Sequence, residues 1–167
     1  SCSKKEIIAP TVSVDMVSSE TVLIQSPAGA FERAVFKLRF RVSSNQVVYF
    51  SPVPTFAKPY IQTTGSLQRP ASSYMVACDR EGSLVTALGS MSFSAIGMVA
   101  IIGPSYVIPA NGSAEFLFTF ELEDSVVHGS NYRVTIPMMA VYRDPELKMI
   151  CWMNSTEHVR TDYFFVP

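Results

Sequence analysis

The chain has 167 residues, of which 48% are hydrophobic and only 16% charged, against about 25% charged in an average globular protein. That balance excludes intrinsic disorder, and the length suits one domain burying roughly two thirds of its unfolded surface. A net charge of -1 gives no field of one sign, which sets aside nucleic acid and an anionic membrane as principal partners.

Residues 1–10 read as a tail and residues 11–167 as one β-sandwich domain, with no linker or repeat dividing it. The tail opens SCSKKE. A small residue, a cysteine and a polar, basic stretch resemble the end of a bacterial lipoprotein signal, which implies a lipid on Cys2. An ordinary Cys2 is the other reading. Of the three cysteines, Cys78 and Cys151 are the pair expected to bridge, and the alternative is three unpaired cysteines packed as small hydrophobes.

Alternation with a period of two then recurs along the chain. TVSVDMV places Val12, Val14 and Met16 on one side of a strand, and ETVLIQ follows as an apolar run. AVFKLRFRV is the strongest instance: Phe36, Leu38, Phe40 and Val42 face one way, Lys37, Arg39 and Arg41 the other. NQVVYF, YMVAC, LVTAL and LKMICWM read as strands covered on both faces, or as edges under loops. SAIGMVAIIG, Ser94 to Gly103, is about half the roughly 20 residues that a membrane-spanning helix requires, so it reads as a buried strand or packed loop, with no transmembrane segment. AEFLFTFELED puts Phe116, Phe118, Phe120 and Leu122 on one face and Thr119, Glu121 and Glu123 on the other. Its charges complement those of the earlier strand, so Lys37, Arg39 and Arg41 are expected beside Glu121 and Glu123, each pair contributing about a few tenths of a kcal/mol. NYRVTIPMM and HVRTDYFFV complete the series.

Between these segments lie SPAGA, QRPASS, DREGS, PANGS and RDPE, turn signals rich in Gly, Pro, Asn, Asp and Ser. The fold class is therefore all-β, a single immunoglobulin-like or jelly-roll-type antiparallel β-sandwich. YVIPANGSAEFLFTFEL and TDYFFVP resemble segments of immunoglobulin-like β-sandwich modules in exported bacterial surface proteins. That resemblance implies an exported, non-catalytic module and assigns no individual residue.

The chemistry-bearing residues are sparse. His128 and His158 are the only imidazoles, no G-x-S-x-G surrounds a serine, and no H-E-x-x-H or paired-cysteine spacing points to zinc. Asp79 with Glu81 and Asp144 with Glu146 sit in turns, where acids cap backbone more often than they bind calcium. No catalytic residue, metal site or cofactor is implied. Asn111 and Asn154 head N-x-S/T sequons suited to surface loops. Tyr49, Phe50, Phe56 and Tyr60 cluster near prolines; Phe56 and Tyr60 are the candidate aromatic contacts for a glycan or cell-wall ligand. Trp152 is read as core beside Cys151.

The leading functional expectation is a structural or adhesive protein, extracellular or on the cell surface, that self-associates, with a filament subunit as one form. Ile7, Val12, Val14 and Met16 would then complete a neighbour's sheet by strand addition. The same segment could instead be the first strand of its own sandwich. The alternative function is a glycan-binding or cell-wall-binding surface lipoprotein module.

Overall fold

The computed structural model describes residues 8–52, 54–56, 74–85, 89–146, 150–152 and 159–167, and every regular element among them is a strand. In chain order these are β1 (Val12–Gln25), β2 (Phe31–Ser44), β3 (Val48–Phe50), β4 (Pro54–Phe56), β5 (Tyr74–Arg80), β6 (Ser83–Val85), β7 (Gly89–Ile96), β8 (Ile101–Ile102), β9 (Ser105–Ile108), β10 (Gly112–Glu123), β11 (Ser130–Tyr142), β12 (Ile150–Trp152) and β13 (Phe164–Val166).

Two sheets form an all-β, predominantly antiparallel sandwich. The first has the order β1-β2-β10-β7, and the second runs β4-β5-β11-β3-β9-β8, with β6 beside β5 and both β12 and β13 beside β11. Among the described strands, only β4 and β5 run parallel. The first order is that of strands A-B-E-D in an immunoglobulin-type sandwich. At the start of β11 the Tyr132 hydroxyl donates to the Val127 carbonyl at 2.9 Å, a tyrosine corner that ties β11 to the turn before it.

Alternation decides what lies between the sheets. Phe36, Leu38, Phe40 and Val42 of β2 and Phe116, Phe118, Phe120 and Leu122 of β10 are all completely buried, facing Tyr132, Val134 and Ile136 of β11. Each such side chain contributes roughly 1.5–3 kcal/mol by leaving water. Aromatic rings knit the two layers: Phe50 of β3 stacks on Phe116 at 5.1 Å and meets Phe40 at 6.3 Å, while Phe36 meets Phe164 of β13 edge-on at 6.2 Å. Phe50 is thus core and is not available to a ligand.

Three sequence expectations need correction. TVSVDMV and ETVLIQ are one strand: β1 pairs with β2 along its whole length and absorbs an irregularity between Met16 and Ser18. A bulge of this kind inserts one residue and restores the inward parity, so Val17 turns out to solvent while Thr21 and Leu23 again oppose Phe36 and Ala34. β2 and β10 are neighbours as their charges suggested, but the register sets Glu115 opposite Arg41 and Glu121 opposite Val35. Arg39 and Arg41 therefore both hold Glu115, each at 2.6 Å, and Arg33 takes Glu121 at 3.3 Å; these replace the expected pairs of Lys37, Arg39 and Arg41 with Glu121 and Glu123. Finally, SAIGMVAIIG is not buried along its length, although Val99 within it packs against the core. Its first residues end β7, and the chain then leaves the sandwich edge so that Met98 is fully exposed and Ile101 and Ile102 are 63% and 49% exposed.

Candidate functional site

Those residues singled out in the sequence that the structure describes do not converge. Cys2, Ile7, Tyr60, Asn154 and His158 lie outside the described residues. Phe56 sits on β4, opposite Val76 of β5. Val12 and Val14, each only 4% exposed, and Met16 lie opposite Ser44, Val42 and Phe40, so this segment completes the molecule's own sheet. Asn111 is exposed at the β9–β10 turn with φ of +52°, the third-position conformation that a type II turn requires, and Gly112 N donates back to Pro109 O.

Cys78 is a buried free thiol, and the expected bridge to Cys151 is not formed. The register gives the reason. Cys78 opposes Val134 and Cys151 opposes Val141, seven residues along β11. That spacing is roughly 20 Å of strand, whereas a disulfide needs its Cα atoms within about 7 Å. Burial, with a smaller contribution from the Asp79 charge, pushes the Cys78 thiol up to about 12.

Nothing among the described residues arranges a nucleophile with a base. His128 has both ring nitrogens engaged, Nδ1 with the Pro167 carbonyl at 2.7 Å and Nε2 with the Asp124 carbonyl at 3.0 Å, and its ring stands edge-on to Phe31. Two carbonyl acceptors call for two N–H donors, which favours the charged imidazolium. A shallow recess of about 520 Å³ lies at the end of the first sheet, between Thr11, Ser13, Ser43, Asn45, Asn111 and Ser113. Hydroxyls and amides line it, with neither an acid nor an imidazole. No cluster of His, Cys, Asp and Glu suited to a metal occurs among the described residues, and they form no helix long and apolar enough to cross a membrane.

The feature with an evident capacity to bind is one side of the sandwich. β7 closes the first sheet, and no strand among the described residues pairs with its outer edge. Its serines Ser90, Ser92 and Ser94 point out, while Met91, Phe93 and Ala95 pack inward. Phe93 meets Tyr106 of β9 at 6.1 Å, which sets the β8–β9 hairpin of the second sheet beside this edge. Residues 89–108, which carry β7, β8 and β9 on this side, contain no Asp, Glu, Lys, Arg or His. Natural edges are guarded by charges, prolines or bulges against pairing with other chains. The opposite edge of the same sheet, β1, has such guards in Asp15, Glu20 and the Met16/Ser18 irregularity; β7 has none.

A second, polar constellation occupies the outer face of the other sheet. Asp79 of β5 opposes Arg133 of β11, whose Nε donates to Oδ2 at 3.2 Å. The Tyr163 hydroxyl donates to Oδ1 of the same carboxylate at 2.6 Å, Gly82 N donates there too, and the Arg133 guanidinium lies 4.4 Å from the Tyr163 ring centre. Hydrogen bonding to the Asp79 carboxylate raises the Tyr163 phenol above its ordinary value. In the adjoining row Glu81 accepts from Asn131, which opposes Phe165 of β13. Asp79 and Glu81 thus cap a turn and anchor neighbours; Glu81 and Gly82, with φ of +52° and +87°, form the tight β5–β6 hairpin.

The chain matches no known family model, curated protein or solved structure.

Neither surface was picked out from sequence. The charge-free run 82–114 is visible there, but its meaning depends on learning that β7, β8 and β9 within it share one side. TDYFFV shows three aromatics in a row, and only the packing of Phe164 and Val166 into the core turns Tyr163 and Phe165 outward.

Proposed function

We propose that the chain is a non-catalytic structural or adhesive module of the cell exterior that works by self-association, a partner copy adding a strand to β7. The observation that carries this reading is the contrast between the two edges of the first sheet, β1 guarded by acids and an irregularity and β7 bare. An edge strand of eight residues offers main-chain donors and acceptors to a partner, each hydrogen bond contributing about 0.5–1.5 kcal/mol net. Ser90, Ser92 and Ser94 are small enough for a flat approach, and the exposed Met98, Ile101 and Ile102 supply apolar area beside it. Export, and a lipid on Cys2, belong to the same proposal and rest on the sequence.

The test is the double variant Ser92→Lys, Ser94→Lys, followed by sedimentation velocity and electron microscopy. Wild-type protein is expected to form dimers or longer assemblies with rising concentration, and the variant to stay monomeric with an unchanged circular dichroism spectrum. A wild type that stays monomeric at the highest concentration reachable, or a variant that assembles as well as wild type, overturns the reading.

A further inference from the structure

The outer face of the second sheet has a property that its fold does not require. Tyr163, just before β13, and Phe165 within it are 43% and 54% exposed and stand two residues apart, about 7 Å along an extended chain. Leaving two large rings in water forgoes the burial that the neighbouring Phe164 and Val166 obtain in the core. Each exposed ring stands at the end of a polar row, Tyr163 with Arg133 and Asp79, Phe165 with Asn131 and Glu81. The Tyr163 ring is held in place from two directions, by its hydroxyl on Asp79 and by the guanidinium 4.4 Å from its centre. A ring held this way loses little rotamer freedom when something stacks on it.

We propose that Tyr163 and Phe165, with Arg133 and Asn131 beside them on β11, form a binding platform for a neutral glycan. The charges on the platform decide the ligand class. Arg133 and Asp79 neutralise each other at 3.2 Å, and the one further charge in these two rows, the Glu81 carboxylate held by Asn131, is negative, so neither row offers a free cation to an anionic partner. What remains is flat aromatic surface beside hydrogen-bonding groups. A pyranose matches that pattern, with its apolar C–H face for the rings and its hydroxyls for the amide of Asn131 and the Nη groups of Arg133, which the Asp79 contact through Nε leaves unused. Asp79 has both oxygens engaged, by Tyr163, Gly82 and Arg133, so the two rows lack the pair of free carboxyl groups that glycoside cleavage uses. This site lies on a sheet face and not on the β7 edge, so it stands or falls independently of strand addition.

Affinity electrophoresis of the full chain through gels containing xylan, mixed-linkage β-glucan, galactomannan or starch tests the proposal, with alginate and polyproline as the charged and peptide competitors. Retardation by at least one neutral polysaccharide is expected. Phe165→Ala should weaken it about tenfold, and Tyr163→Ala likewise, while Tyr163→Phe keeps the ring and most of the binding. Thermal melting of each variant confirms that it is folded. No retardation by any of the four neutral polymers, equal retardation of wild type and folded Phe165→Ala, or capture by alginate or polyproline alone would overturn it.

Discussion

Gly89, the first residue of β7, sits where β7 crosses close to β10. A Cβ at this position would collide with the Glu121 carbonyl and press on the Phe120 ring. Gly89→Ala therefore has to push β7 away from β10, and overpacking of this kind costs about 1–3 kcal/mol. Urea unfolding should show that loss, whereas Ser90→Ala, one residue on and exposed, should stay within about 0.5 kcal/mol of wild type. His128 makes a pH-dependent contribution of known sign. The carbonyls of Asp124 and then Pro167 raise its imidazole above the ordinary value of 6.5. A raised folded-state value means that this stabilisation is complete below about pH 6.5 and is lost as pH rises through the higher value. The melting temperature of wild type should exceed that of His128→Gln at pH 5.5, and the gap should close by pH 8.5. Glu115 has the opposite sign. Arg39 and Arg41 lower its carboxyl, so its share is present above the ordinary value of 4.5 and disappears on stronger acidification.

Strands with one dry face were the elements best read from sequence, because burial on one side imposes a period of two that composition alone displays. Phe36 to Val42 and Phe116 to Leu122 are such segments, and they became the two central strands of the first sheet. Pairing partners were less legible. That β2 lies beside β10 followed from opposite charges, but the choice of Glu115 over Glu123 depends on register, set by connections far from the charges themselves. β1 was split in two because no residue type announces a bulge at Met16 to Ser18. The apolar run after Ser94 was assigned to the interior because hydrophobicity reports a preference for leaving water and not which surface will provide the cover. At this scale, too, belongs the contrast that supports self-association, since a two-residue change from serine to lysine gives β7 the kind of guard that β1 already has.

For the molecule as a whole, the sandwich was readable from alternation and turns, and its immunoglobulin-type strand order emerged only with the pairing of β1, β2, β10 and β7. The candidate surfaces were hidden for the same reason: Tyr163, Arg133 and Asp79 are separated by tens of residues and meet only because β5, β11 and β13 do. The same brings-together logic isolates Cys78. Its sulfur lies in the core with its thiol pushed up to about 12, so almost no thiolate exists near neutral pH, and a reagent must wait until β5 comes away from β11. Cys78 therefore works as a clock for opening of the sandwich. Its alkylation by iodoacetamide, followed by peptide mass mapping to separate it from Cys2 and Cys151, should be slow in buffer and accelerate with urea in step with the unfolded population. Labelling as fast as in an unstructured peptide would mean that the two layers part far more often than so dry a core permits.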